Sequence, residues 1–216
     1  MAPLRIGVLA LQGDVSEHTD MVNLALKRMG LEGEAIKIKK KEQIDEIHGL
    51  IIPGGESTTM GRVSELYGLI KSIKDAALAG MPMLGTCAGL ILMAKKVQDA
   101  KMGETKQPTL GLLEVEVVRN AFGRQRESFE TNVKIPKIGK KPFPGVFIRA
   151  PIIGSILSND VEVLAHHDDK IVTVQQDGLI GIAFHPELAD DTRLHELFIE
   201  LILKSTFKNR FSKEDA

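Results

Sequence analysis

The sequence has one cysteine, almost no net charge and no long apolar segment. A single cysteine excludes a disulfide within the chain. A formal charge of -1 offers no strongly basic surface of the kind that binds nucleic acid or an anionic membrane. Apolar runs stay shorter than the roughly 20 residues that a membrane-spanning helix needs. We therefore expect no nucleic-acid and no membrane partner, and the lone thiol without an export signal predicts a cytoplasmic location.

The length of 216 residues predicts one domain, 1–216, large enough to bury its own core. Apolar runs at 6–11, 35–38 and 49–52 alternate with helical patterns, the first at about 14–29. This order predicts an α/β fold with a mostly parallel sheet, helices on both faces and ligands at the carboxyl ends of the strands. β-rich runs between 110 and 176 predict added antiparallel strands. A last helix is expected at about 192–204, followed by a frayed tail at 208–216.

Cys87 lies between Gly85 and Gly89, after the apolar run 81–84 and before an expected amphipathic helix over 88–96. The two glycines permit a strained strand-to-helix turn and a close approach of strand and helix, as a nucleophile elbow requires. At a helix N-terminus the helix dipole and the free amides favour the reactive thiolate. The pattern predicts an exposed nucleophile, with the Ala88 N–H free to bind an oxyanion.

His185 and Glu187 follow another apolar run, 179–184. An imidazole and a carboxylate two residues apart can supply a base for a cysteine and a group that orients the base. A free cysteine is most often a small buried hydrophobe, but packing alone requires neither flanking glycines nor a distant His-x-Glu. We interpret Cys87, His185 and Glu187 as nucleophile, base and orienting carboxylate.

The segment Pro53-Gly54-Gly55 also follows an apolar strand. Its backbone amides are expected to complete an oxyanion hole, so that Gly54, Gly55 and Ala88 together hold the developing charge. The pattern of a phosphate-binding loop is absent there. Ser57 is expected to cap the helix that follows.

Three polar segments have ordinary explanations. The lysine-rich stretches 37–41 and 137–141 are interpreted as solvated surface, since the total charge is close to zero. His166 and His167, followed by two aspartates, are interpreted as a polar hairpin turn rather than a metal site, because no further ligand stands at a suitable spacing.

Six segments resemble the class I (triad) glutamine amidotransferases, and among them the glutaminase subunits of pyridoxal 5'-phosphate synthases. They are GVLALQG at 7–13, PGGESTTM at 53–60, GTCAGL at 85–90, RNAFGRQ at 119–125, FIRAP at 147–151 and FHPEL at 184–188. The second, fourth and fifth segments narrow the resemblance to that subunit, and the resemblance extends over nearly the whole chain. The resemblance implies a three-layer, flavodoxin-like fold and the same nucleophile, base and carboxylate.

The resemblance also implies the residues that contact glutamine: Gly55, Glu56, Ser57, Arg119, Ile148 and Arg149. A guanidinium fork can hold a carboxylate with two hydrogen bonds, which suits both arginines to a carboxylate-bearing substrate. Arginines beside strands also often make only structural ion pairs, and this alternative stays open.

By the resemblance, the reaction is hydrolysis of L-glutamine to L-glutamate and ammonia, with no metal or organic cofactor. Ammonia released to water is protonated and is then no nucleophile, so a partner is expected. The family's partner is a (β/α)8-barrel synthase, built as a dodecameric core, that makes pyridoxal 5'-phosphate. Three alternatives remain: a glutaminase serving another acceptor, a stand-alone cysteine hydrolase, and a non-catalytic interaction subunit.

Overall fold

The computed structural model describes residues 3–120 and 128–214, with side chains as far as Thr206. Residues 121–125 of the RNAFGRQ segment therefore lie outside the described residues. In the described ranges, no helix combines the length and the apolar character required to cross a bilayer.

The strands are, in chain order, β1 (Leu4–Leu9), β2 (Gly33–Ile38), β3 (Gly49–Ile52), β4 (Met83–Thr86), β5 (Ala94–Asp99), β6 (Gly103–Glu104), β7 (Leu113–Arg119), β8 (Ser128–Val133), β9 (Phe143–Ile148), β10 (Ile152–Ile156), β11 (Glu162–His167), β12 (Lys170–Gln176) and β13 (Leu179–Ile182). The helices are α1 (Val15–Arg28), α2 (Ser57–Leu66), α3 (Leu69–Leu78), α4 (Ala88–Met93) and α5 (Arg193–Glu214).

The main sheet has the strand order β2-β1-β3-β4-β13-β12-β10-β7-β5-β6, and β11 pairs with β12. The five strands from β2 to β13 are parallel, and β12, β10 and β7 continue the sheet in antiparallel fashion. β8 and β9 form a separate antiparallel pair. Helices cover both faces of the sheet. The predicted three-layer α/β fold with an added antiparallel portion is confirmed.

Burial explains which segments became central strands and which became surface helices. β3, β4 and β13 stand side by side in the parallel part, where both faces of a sheet are covered, and β3 and β4 are buried at every residue. α1 instead buries one stripe, at positions 18, 21, 22, 25 and 26, which is the spacing of an amphipathic helix. The stripe packs α1 against the sheet and against α5.

Several predicted boundaries need correction. β1 ends at Leu9, and the helix after Cys87 ends at Met93 instead of continuing to residue 96. Every residue of α4 is buried, so it is not amphipathic, and Ala94–Asp99 pairs with β7 as a strand. The last helix continues past residue 204 to Glu214. The frayed tail at 208–216 stays a prediction.

The surface segments agree with their ordinary explanations. The lysines in both basic stretches are exposed. Asp168 and Asp169 form the tight turn that joins β11 to β12, with a φ of 51° at Asp168. The predicted hairpin turn is confirmed.

Candidate active site

The site lies at the carboxyl ends of four adjacent parallel strands, β1, β3, β4 and β13. Cys87 follows β4, His185 follows β13, Gly54 follows β3 and Asp14 follows β1. Ligand sites in open α/β sheets form at this edge because parallel strands all end there. The Cys87 amide donates to the Ile182 carbonyl at 2.8 Å, which ties the nucleophile's turn to the strand that leads to the histidine.

The turn at Cys87 is strained at the cysteine itself. Its φ of 48° and ψ of -102° are conformations that a residue with a side chain rarely adopts. The flanking glycines provide space: a Cβ on Gly89 would lie 1.9 Å from the Ile52 carbonyl oxygen, and one on Gly85 would lie 2.6 Å from Met93 Sδ. The predicted close approach of strand and helix is therefore confirmed. The predicted exposure of the nucleophile is wrong, because Cys87 is buried with only 8% of its surface accessible.

His185 and Glu187 form the buried half of the catalytic arrangement. His185 Nδ1 donates to Glu187 Oε1 at 2.8 Å, and the Glu187 side chain is fully buried. Burial by itself would lower the pKa of His185, but hydrogen bonds and charge interactions with Cys87 and Glu187 outweigh burial and raise this pKa to about 10. A pKa of about 10 favours the cationic imidazolium form of His185 at neutral pH, beside the sulfur of Cys87.

Glu187 is held in an apolar environment, and burial raises its pKa although the contact with His185 opposes the change. A second carboxylate, that of Asp14, places Oδ2 3.2 Å from His185 Nδ1. Asp14 is one-third exposed, whereas Glu187 is closer and has no exposed side-chain surface. Sequence analysis missed Asp14, although its position just after β1 was a usable signal.

A cavity of about 360 Å³ opens beside the nucleophile. Eight of the residues singled out in the sequence line it: Gly55, Glu56, Ser57, Cys87, Arg119, Ile148, Arg149 and His185. Gln12, Asp14, Ile91 and Asn120 complete the lining. Gly54, Ala88 and Glu187 stand behind this surface. A Cβ on Gly54 would lie 2.4 Å from His185 Cε1, so only glycine fits against the imidazole there.

The Gly54-Gly55 loop is fixed from both sides. The Glu56 amide donates to Gln12 Oε1 at 2.7 Å, and the Glu56 carboxylate accepts from the amides of Thr58 at 3.0 Å and Thr59 at 2.6 Å. Burial works to raise the pKa of Glu56, but these hydrogen bonds outweigh it and lower the pKa to about 2. Glu56, not Ser57, is the cap of α2, which corrects the sequence expectation.

Arg119 is anchored at the far side of the cavity. Its Nε donates to Asp99 Oδ2 at 3.1 Å, and its Nη1 donates to Gln107 Oε1 at 2.8 Å and Thr58 Oγ1 at 3.1 Å. The structural ion pair considered for Arg119 is present, and the same side chain also lines the cavity. Gln107 was not identified from the sequence, because nothing in its local pattern distinguishes it from other loop glutamines.

Arg149 also lines the cavity; it comes directly after β9 and has a φ of 43°. Ile148, the last residue of β9, keeps 37% of its surface exposed. Both are therefore open to a ligand, while the left-handed conformation of Arg149 turns the chain out of β9.

Ligand atoms of Asp14, His185 and Glu187 lie within 4.8 Å of one another, close enough for a metal ion. His185 Nδ1 already donates to Glu187 at 2.8 Å, and a metal would have to replace that proton. We interpret this cluster as the hydrogen bonding of a catalytic histidine.

Residues 8–204 match the SNO glutamine amidotransferase family. The chain belongs to this family. One relative, "Pyridoxal 5'-phosphate synthase subunit PdxT" of Pyrococcus abyssi, is 50% identical over 200 residues, covering 93% of this chain and all of that protein. The protein of the same name from Nitrosopumilus maritimus is 46% identical, covering 92% of this chain and 96% of the relative.

A solved structure described as a glutamine amidotransferase superposes with a TM-score of 0.81 at 45% identity, covering 91% of this chain and 98% of the other. The non-catalytic subunit considered from the sequence would be expected to lack a triad member, and Cys87, His185 and Glu187 are all present.

Proposed function

We propose that Cys87, His185 and Glu187 hydrolyse L-glutamine to L-glutamate and ammonia, and that the ammonia passes to the synthase subunit of a pyridoxal 5'-phosphate synthase. The observation that carries the proposal is the strained Cys87 beside a charged, buried His185–Glu187 pair in a cavity large enough for an amino acid. The relatives named above are subunits of that synthase, and the chain is accordingly its glutaminase subunit.

The chemistry is acyl transfer in two steps. The Cys87 thiolate attacks the side-chain amide carbon of glutamine and forms a C–S bond. The His185 imidazolium donates a proton to the amide nitrogen as the C–N bond breaks, which releases ammonia and leaves a glutamyl thioester. Neutral His185 then takes a proton from water, the hydroxyl attacks the thioester, and glutamate leaves as the thiolate re-forms. Glu187 keeps Nδ1–H of His185 oriented throughout.

The oxyanion formed in each step requires donors close to Cys87. The amide of Ala88, the first residue of α4, belongs to the helical amides that lack an intrahelical acceptor. With the amides of Gly54 and Gly55, it is proposed to form the oxyanion hole. No step needs a metal or an organic cofactor.

Glutamine itself is held by the cavity walls. Hydrogen bonds to Asp99 and Gln107 already hold the Arg119 side chain in place. Arg119 therefore loses less side-chain conformational entropy when it binds a carboxylate. Arg149 and Ile148 are proposed to contact the substrate from the end of β9, and Gly55, Glu56 and Ser57 from the loop after β3.

The partner is proposed to be a (β/α)8-barrel synthase with a dodecameric core, and the complex is placed in the cytoplasm. Direct transfer is chemically necessary because ammonia in neutral water is mostly ammonium, which cannot act as a nucleophile. The lone free thiol fits a reducing compartment.

Glutamate release from L-glutamine tests the proposal, measured with and without a pyridoxal 5'-phosphate synthase subunit. Activity that rises with the synthase and is lost in Cys87→Ala is the expected result. Activity unaffected by the synthase would indicate another acceptor or a stand-alone hydrolase. Absence of activity in the wild type under both conditions would contradict the glutaminase proposal.

A further inference from the structure

Two histidines outside the triad are completely buried behind it. His18 lies on α1 and His195 on α5, and both have 0% exposed surface. Burial lowers the pKa of both rings, so both are neutral at physiological pH. Burying a neutral imidazole in an apolar interior costs free energy of folding unless its ring nitrogens make hydrogen bonds.

The two rings form a continuous path to the catalytic carboxylate. His18 Nε2 lies 3.3 Å from Glu187 Oε2, the oxygen that does not contact His185. The same nitrogen lies 3.0 Å from the hydroxyl of Thr86, the residue before Cys87. On its other side, His18 Nδ1 lies 3.1 Å from His195 Nε2.

Hydrogen-bond accounting decides which nitrogens carry the protons. Among the described residues, His195 Nδ1 and Glu187 Oε2 are both buried without a hydrogen-bond partner. A proton on His195 Nδ1 would be a buried donor with no acceptor. It would also leave His195 Nε2 as the acceptor for a proton on His18 Nδ1, so that the unprotonated Nε2 of His18 would face the Glu187 carboxylate. Placing the protons on Nε2 of both rings avoids both penalties, since an unpaired acceptor is tolerated better than an unpaired donor.

We propose that His18 and His195 are positioning residues for Glu187. His195 Nε2–H donates to His18 Nδ1, and His18 Nε2–H donates to the Thr86 hydroxyl while its nitrogen lies 3.3 Å from Glu187 Oε2. The proposal rests on the proposed glutaminase function for its catalytic consequence, but the direction of these hydrogen bonds is a property of the folded chain alone.

The arrangement gives Glu187 Oε1 a hydrogen-bond donor in His185 and places His18 Nε2 3.3 Å from Oε2. Because Oε2 is buried without a hydrogen-bond partner among the described residues, the nearby N–H dipole of His18 is the interaction that opposes rotation of the carboxylate away from His185. Because His18 also contacts Thr86, one ring connects the orienting carboxylate to the turn that carries the nucleophile. His18 touches neither the cavity nor the substrate.

Ring nitrogen NMR spectra of the full-length protein at neutral pH test the hydrogen-bond direction. The expected result is a neutral ring with protonated Nε2 and bare Nδ1 for both His18 and His195, assigned with His18→Gln and His195→Gln. A protonated Nδ1 on His18 would overturn the proposal.

Steady-state glutaminase kinetics with the synthase subunit present test the consequence. His18→Phe should lower kcat by about 10- to 100-fold, the range found for outer-shell partners at metal sites, with KM for glutamine within about twofold. His18→Gln, whose amide can donate at the Nε2 position, should recover most of the loss. If His18→Phe does not fold, the comparison of His18→Gln with His18→Ala replaces it.

The matched control is His48→Phe, because His48 is a half-buried histidine before β3, where its Nδ1 accepts from the Arg5 amide at 3.0 Å. It should leave kcat unchanged. Equal kcat in His18→Phe and wild type would overturn the positioning role. If the wild type itself released no glutamate, the proposed function would fail, while the ring spectra would still decide the hydrogen-bond direction.

Discussion

Gly89 approaches Ile52 so closely that a Cβ on the glycine would lie 1.9 Å from the isoleucine carbonyl oxygen. The contact joins the first turn of α4 to the end of β3. It therefore fixes the distance between the Cys87 turn and the loop that carries Gly54 and Gly55. A backbone oxygen in a central strand cannot move aside as a flexible side chain can.

Gly89→Ala should consequently lower the free energy of unfolding by more than about 3 kcal/mol, the upper part of the range for overpacking. Urea unfolding followed by circular dichroism measures the change. Gly178→Ala is the control, because its Cβ would meet Pro82 at an ordinary 3.4 Å. Equal stability of the two variants would show that the strand and helix separate at little cost.

The two carboxylates at His185 are expected to differ strongly in importance. Glu187→Gln should lower kcat by about 10³- to 10⁴-fold, as the loss of a triad carboxylate does elsewhere. Asp14→Asn should cost less than about tenfold, since Asp14 is farther from Nδ1 and partly screened by solvent. Both are measured as glutamate release with the synthase present. Equal losses would mean that Asp14 shares the orienting role.

The imidazole of His185 should titrate near pH 10 in the folded protein. Cys87→Ala removes the contact that contributes most to raising this pKa, so the pKa should fall in that variant. The ring proton shifts in an NMR titration measure both values. A wild-type pKa close to the ordinary 6.5 would exclude the imidazolium proposed for the resting enzyme.

The same shift predicts a pH dependence of stability. A base whose pKa is higher in the folded than in the unfolded protein stabilises the folded state. This contribution is complete at a pH below the unfolded-state pKa and is lost as the pH rises through the folded-state pKa. For His185 the window extends from about 6.5 to about 10. The difference in urea midpoint between wild type and His185→Gln should shrink across this window, and a constant difference would contradict the prediction.

Arg119 is expected to act on substrate binding rather than on chemistry. Arg119→Met should raise KM for glutamine by about 10- to 100-fold, which corresponds to the roughly 1.5–3 kcal/mol of a hydrogen bond to a charged group. Its effect on kcat should be small. Arg5→Met is the control, because Arg5 pairs with Glu34 and Glu46 on the surface near the amino end of β1. A fall in kcat with unchanged KM would contradict a binding role.

Sequence analysis identified the α/β order, three of the four strand ends at the site and the residues of the proposed triad. These features follow from local pattern: apolar runs mark the strands, glycines mark the close approach at Cys87, and parallel strands bring their carboxyl ends to one edge. The length of α4 could not be derived in this way, because Ala94–Asp99 became a strand only by pairing with β7, which begins fourteen positions after the last residue of β5.

The supporting residues were decided by the tertiary structure. Glu56 replaced Ser57 as the cap of α2, and Asp14, Gln107 and His18 each acquired a role through contacts that no local pattern encodes. His18 and His195 meet although 177 positions separate them in the chain. Local sequence determined where the reacting groups stand, because strand ends and turns depend on neighbouring residues. Only the packing of α1 and α5 against the sheet decided what holds those groups in place, because such contacts exist only once the chain has folded.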